Sequence, residues 1–356
     1  MASSMRAWQY TTINGTLEKS LFLNSSTPAP NQASLSKDQI LVEVITASIN
    51  PVDYKMPESG IYAKLTIKRP ATPGLDFCGR IIATHASNSV LSEGQLVFGA
   101  LSKTSQIGTL CQFVVVSCSE CALLPEGIEV DHAAAVGTAA STALQSLLLN
   151  VIKQGSMVFI NGGSGGVGTF GIQFAKALGA EVTTTCSTGN VDLCKGLGAD
   201  EILDYTKNDI LSHLEKKGQI FDLAIDNVGS LAFLYEHSST FLKPAGTFAQ
   251  VSVAAGMGII LRRMLQPRYL GGGKRRFHFV RVKSRSEDYR QVGSWITEGK
   301  VSVVIDESFE WEDVPKAFEK LRTGHSKGKI IIHVTKKEGV VDRKYLAPQI
   351  EHNIAG

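Results

Sequence analysis

The stretch from Met157 to Ser187, MVFINGGSGGVGTFGIQFAKALGAEVTTTCS, constrains this chain more than any other. It opens on an apolar, β-rich run, Met157 to Ile160, and passes through a turn in which Gly163, Gly165 and Gly168 satisfy GxGxxG. Apolar residues then recur at helical spacing (Val167, Phe170, Phe174, Ala177, Leu178), Gly179 stands where a helix would be capped, and Val182 to Cys186 reads as a second strand. A strand, a glycine turn, a helix and a strand in this order make a dinucleotide-binding unit. Glycines let a pyrophosphate approach the backbone, and the free N–H groups at the helix start favour its double negative charge.

The end of the second strand bears on which dinucleotide binds. An acidic residue there binds the ribose 2'-hydroxyl of NAD. Here Ser187 is followed by Thr188, Gly189 and Asn190, and no Asp or Glu occurs between Val182 and Val191. A carboxylate would repel a 2'-phosphate, whereas hydroxyls and an amide donate to it. The expected cofactor is NADPH.

The surrounding text is that of an ordinary globular protein. A chain of 356 residues, 43% hydrophobic and 19% charged, has enough sequence for about two domains. A net charge of +3 is too small to indicate nucleic acid, and the basic run Gly273 to Phe277 reads as a solvated loop. Six cysteines, at 78, 111, 118, 121, 186 and 194, lie mostly in apolar text without a signal peptide ahead of them, so reduced thiols and a cytoplasmic location are expected. The longest candidate membrane segment, Val253 to Leu261, is too short to span and contains two glycines, so no membrane role is expected.

Residues 1 to 125 are β-rich, with strands predicted at Lys37–Ile45, Arg80–Thr84, Gln95–Gly99 and Cys111–Val116. An alanine-rich helix, Ala133 to Leu149, leads into the glycine unit. Strands at Glu201–Tyr205, Phe221–Asp226 and Gly246–Gln250 then alternate with helices at Val191–Leu197 and around Leu231 to Leu242. Such alternation predicts a parallel, doubly wound α/β sheet. From about Arg285 a helix (Ser286–Glu298), a strand (Val301–Ile305), a helix begun at Trp311 and a last strand (Lys329–Val334) exceed what that sheet needs. They are expected to return to the first domain. The predicted division is therefore 1–127 with 284–356 as one discontinuous β-rich domain, and 128–283 as the dinucleotide-binding one.

From about residue 5 to 335 the chain resembles the medium-chain dehydrogenase/reductase superfamily, and within it the zinc-free quinone oxidoreductase and enoyl reductase branch. The matching text is Asn50-Pro-Val-Asp53, Pro73 to Gly79, Gly162 to Gly168, Leu197 to Tyr205 and Gly324 to Ile330. The resemblance implies a Rossmann doubly wound sheet beside a GroES-like catalytic domain. Zinc-dependent relatives carry a cysteine where Asn50 stands and a Gly-His-Glu where Gly74-Leu-Asp76 stands, so two ligands of a catalytic zinc are missing. Cys118 and Cys121 have CxxC spacing without a second pair, and the resemblance puts them on a strand; no metal is expected.

A reductase without a Lewis acid suits an acceptor whose own conjugation spreads the charge that hydride brings, namely an enone, a quinone or an enoyl thioester. The resemblance implies that Asn50-Pro-Val-Asp-Tyr-Lys55 lines the nicotinamide end of the cleft. It makes Tyr62, in Gly60-Ile-Tyr62, and Lys55 the candidate proton donors or enolate holders, with Tyr54 behind them and Asn50 against the nicotinamide ribose. For the cofactor it carries over Thr142 to the nicotinamide, Ser164, Gly165, Gly166 and Val167, between Gly163 and Gly168, to the pyrophosphate, and Tyr205, with Ser187, Thr188 and Asn190, to the 2'-phosphate. Two other functions are compatible with this text. One is an enoyl reductase serving a polyketide or fatty-acid synthase in trans; the other is a non-catalytic NADPH-binding regulatory protein. A homodimer through the sheet edge at Lys274 to Val282 is also implied.

Overall fold

The computed structural model describes residues 3–335 apart from 89, 103–105, 230–232, 255 and 266–273. Its dinucleotide half is a six-stranded sheet in the spatial order Glu201–Asp204, Glu181–Cys186, Met157–Asn161, Phe221–Asp226, Leu242–Gln250 and Arg276–Phe279. Every adjacent pair is parallel. The order reverses beside Met157–Asn161, the first of these six strands along the chain, and this places a ligand crevice at the carboxyl ends of the strands. Burial on both faces explains why the central strands Met157–Asn161 and Phe221–Asp226 read as mostly apolar runs.

The second half is a seven-stranded sheet built mainly of antiparallel pairs. Its path runs Ile305–Glu310, Lys329–His333, Gln39–Ile49, Asp76–Thr84, Leu96–Ala100 and Cys121–Leu123, with Phe113–Ser117 also paired to Gln39–Ile49. The late strand Lys329–His333 is antiparallel to Gln39–Ile49, with Ile330 opposite Ile49. A two-stranded ribbon, Ser4–Gln9 with Phe22–Pro28, lies beside it. The whole is an α/β fold: a Rossmann sheet with a GroES-like, β-rich partner.

One helix ties the two sheets together. Val130–Leu147 buries Ala133, Ala134, Ala139, Ala140 and Ala143 in a core that takes Cys78 and Phe98 from one sheet and Val158 and Ile160 from the other. Alanines let the helix approach both sheets closely. The helix is broken at Gly137, whose φ of 2° and ψ of −117° are not helical. A Cβ there would collide with the Asp76 carboxyl. The break frees the backbone N–H of Thr138, and Asp76 Oδ1 accepts it at 2.8 Å, so Asp76 caps the second half of the helix.

Several predicted elements move. The strand expected at 301–305 forms at Ile305–Glu310 instead, because Val301 and Ser302 are drawn against the nucleotide-half helix: Ser302 N donates to Gln173 Oε1 at 2.7 Å. The helix expected over 231–242 shrinks to Ser238–Phe241, with 230–232 outside the described residues. Cys118 starts a one-turn 3-10 helix and only Cys121 joins a strand, and all six cysteines are free thiols. The basic run is not wholly loop: Arg276 begins the edge strand. No helix among the described residues is long and apolar enough to cross a membrane.

Candidate active site

The glycine turn forms the cofactor end of the crevice. Gly162 lies at φ +85°, and added Cβ atoms at Gly163 and Gly168 would strike Thr184 and the Gly162 carbonyl. These positions exclude side chains, so the backbone stays open to a large anion. Gly165 caps the helix Gly166–Ala177, whose first-turn N–H groups face the same space. This cradle fits a dinucleotide pyrophosphate. The final strand reaches it too, since Gly328 N donates to Ser164 O at 2.9 Å.

The corner beyond the second strand is more acidic than its own sequence shows. Asn190 Nδ2 donates to Ser164 Oγ at 3.1 Å and Ser187 Oγ at 3.3 Å, and its Oδ1 is buried without a partner. Thr188 Oγ1 donates at 2.5 Å to Asp204, which comes from the neighbouring strand and sits opposite Cys186. Asp204 was not visible as a site residue, because pairing between strands sets its position. Hydrogen bonds from Thr188 and from the Thr206 backbone and hydroxyl hold its carboxyl below the usual carboxylate range. Lys207 Nζ stands 3.8 Å away, and Tyr205 is half exposed beside it.

Between the sheets lies a cleft of about 1670 Å³, lined by Asn50, Lys55, Tyr62, Thr142, Val167 and Asn227 among others. Asn50 ends the strand Gln39–Ile49 and caps the short helix Pro51–Lys55, in which Pro51 needs no N–H partner. Lys55 is half-buried, and that burial lowers its pKa. Tyr62 projects from the helix Ile61–Thr66 and is 56% exposed. Thr142 Oγ1 donates to Thr138 O at 2.6 Å, and Thr142 lines the cleft. Tyr54 is placed elsewhere: its ring lies 4.3 Å from the Arg322 guanidinium, which also binds Glu18 and Glu58.

A buried polar cluster lies directly behind Asn50. Asp76, fully buried, accepts on Oδ2 from Asn50 Nδ2 at 2.8 Å, Ser48 Oγ at 3.1 Å and Lys329 Nζ at 3.3 Å. Lys329, 3% exposed, donates to Asn50 Oδ1 at 2.5 Å and Ile49 O at 3.0 Å. Asp53 Oδ2 accepts from Asn50 N at 2.7 Å, and burial with Asp76 nearby pushes its carboxyl up to about 8. In sequence Lys329 reads either as a residue reaching the cofactor or as the plain start of the last strand, and Asp76 only as the residue standing at a missing zinc ligand; their pairing with Asn50 is set by contacts between strands far apart in the chain.

The fold and site are those of a hydride-transferring oxidoreductase, and related proteins agree. Residues 36–145 match the family model for the alcohol dehydrogenase GroES-like domain, and 197–332 the one described as zinc-binding dehydrogenase. A trans-enoyl reductase of Aspergillus terreus is 44% identical over 345 residues, covering 93% of this chain and 97% of that protein. A 2-methylene-furan-3-one reductase of Solanum lycopersicum is 32% identical, covering 93% and 79%. The solved quinone oxidoreductase from Coxiella burnetii superposes with a TM-score of 0.81 at 30% identity, over 93% of this chain and 99% of that one. The chain belongs to the medium-chain dehydrogenase/reductase family and is an NAD(P)-binding oxidoreductase.

The zinc in one model's description does not suit the residues present. Catalytic zinc takes Cys, His or carboxylate donors and an open position. At Asn50 and Asp76 the donors are an amide and one carboxylate whose oxygens are already engaged by Thr138, Ser48, Asn50 and Lys329. Among the described residues no cluster of three or more His, Cys, Asp or Glu could hold a metal ion.

Proposed function

We propose that the protein reduces the carbon–carbon double bond of an α,β-unsaturated carbonyl compound, or a quinone, using NADPH. The observation carrying this reading is the cleft itself: it brings Val167, from the glycine turn, together with Asn50, Lys55 and Tyr62, with Lys329 Nζ filling the space beside Asn50 and Asp76. When bound, the nicotinamide supplies the hydride. The protein's part is to hold the acceptor's β-carbon against it, bind the oxygen on which charge develops and return a proton to the α-carbon.

Asn50 offers an amide donor at the cleft wall. Lys55, with its lowered pKa, and the Tyr62 phenol stand at the cleft as the proton donors of this reading. NADPH is favoured over NADH because the second strand's end carries Ser187, Thr188 and Asn190 and no acid of its own, with Lys207 close enough to offset the charge of Asp204 from the neighbouring strand. The domain division at residues 127 and 284 belongs to the same reading. So does service to a synthase in trans, which the Aspergillus terreus relative's name favours. A second copy would pair at the edge strand Arg276–Phe279, whose last residue, Phe279, lines the cleft.

Steady-state oxidation of NADPH and NADH against enones, quinones and enoyl thioesters tests this. The expected result is turnover with at least one class and a preference for NADPH, reduced about a hundredfold by Tyr62→Phe or Lys55→Met, whichever side chain supplies the proton. Turnover of thioesters alone would select the synthase-linked alternative. Binding without turnover of any acceptor would leave a regulatory protein.

A further inference from the structure

Asn50 is fixed in one orientation by chemistry, not by packing alone. Lys329 Nζ can only donate, so the amide atom 2.5 Å from it is Oδ1; Asp76 accepts, so the atom 2.8 Å from its Oδ2 is Nδ2. The ammonium makes contacts to Ile49 O, Asn50 Oδ1 and Asp76 Oδ2, which use its three protons, so it has none to give a substrate. Asn50 Nδ2 carries two hydrogens: Asp76 takes one at 2.8 Å, and the neighbouring Asp53 carboxyl acts on the amide only weakly, its Oδ1 making no hydrogen bond. Asn50 itself lines the cleft.

From this we infer that Lys329 is a positioning residue that orients and polarises the Asn50 amide, so that its remaining N–H binds the oxygen of the acceptor as hydride arrives. Resting on the function proposed above, this assigns the metal-like part of the reaction to Lys329. Zinc would polarise the substrate oxygen directly. Here the fixed positive charge acts one amide away: hydrogen-bonded to Oδ1, it draws electron density from the amide and strengthens its N–H as a donor. In the step itself, hydride forms a bond to the β-carbon, the carbon–carbon π pair moves toward the carbonyl and the negative charge settles on oxygen. A proton later reaches the α-carbon from Lys55, Tyr62 or water, and Lys329 keeps its own.

The cluster carries no surplus negative charge to oppose the charge that develops on the acceptor oxygen. Lys329 offsets Asp76, while Asp53 holds its proton. The stem of Lys329 also runs against the cofactor cradle, since a Cβ at Gly166 would come within 3.0 Å of its Cδ. The last strand thus carries a charge from the substrate half to the start of the nucleotide helix.

Acceptors of graded electrophilicity distinguish this role from a structural one. An activated quinone spreads its own charge and needs little help, whereas a simple enone needs most. Lys329→Met should lower kcat about a hundredfold for a weak enone and less than about tenfold for a strong quinone, with cofactor affinity little changed. Should that variant fail to fold, the neutral pair Lys329→Met with Asp76→Asn removes both charges and should show the same steepened dependence. An equal loss with all acceptors, or a loss confined to NADPH affinity, would overturn the inference while leaving the reductase reading intact. A wild-type protein that turns over no acceptor would overturn both.

Discussion

Asp53 shows how one side chain records the balance of its surroundings. Its carboxyl is buried, faces Asp76 and Lys329, and is pushed up to about 8. The unfolded chain loses that proton near the ordinary carboxyl value, so between about pH 4 and pH 8 the folded state binds the extra proton. The group's contribution to stability therefore falls as pH rises through that window. Asp53→Asn keeps an acceptor for Asn50 N and cannot ionise. Thermal melts should show the variant gaining stability relative to wild type on going from pH 5 to pH 8; a constant difference across that range would mean that Asp53 is already ionised in the fold. In sequence, Asp53 was legible only as a letter in Asn50-Pro-Val-Asp53. Its company of Asp76 and Lys329 arises from strands far apart in the chain.

At the scale of elements, the unit from Met157 to Cys186 was the most legible, because its strand, glycine turn and helix are specified by neighbours along the chain. Gly168→Ala tests how closely. The added methyl would meet the Gly162 carbonyl and the Gly163 backbone, with no flexible side chain to move aside. About 2 kcal/mol of stability should be lost, with NADPH affinity reduced more than tenfold or abolished, measured by fluorescence titration. Unchanged affinity would place the cofactor away from this turn. Less legible were Ile305–Glu310 and the segment before Ser238, where pairing with distant residues outweighs local preference. The Asp76 cap on Thr138 was hidden for the same reason: it joins residues 62 apart in sequence.

Over the whole molecule, the broken helix Val130–Leu147 and the strand Lys329–His333 hold the nucleotide half and the substrate half in fixed relation. The first packs alanines against both sheets; the second pairs with Gln39–Ile49, contacts the glycine turn and sends its lysine under Asn50. In the proposed function, cofactor and acceptor meet in the one cleft that these two elements hold together, with the Asn50 amide at its wall. Alternation of strands and helices foretold the parallel sheet, the β-rich text of residues 1 to 125 foretold the other, and the resemblance named the cleft residues. Neither foretold the ammonium beside Asn50. The most direct test is isotopic: reduce an enone with NADPH deuterated at the transferable position of the nicotinamide and locate the label by NMR. Deuterium at the β-carbon of a saturated ketone is the predicted result. Label on the carbonyl carbon of an allylic alcohol would contradict the account.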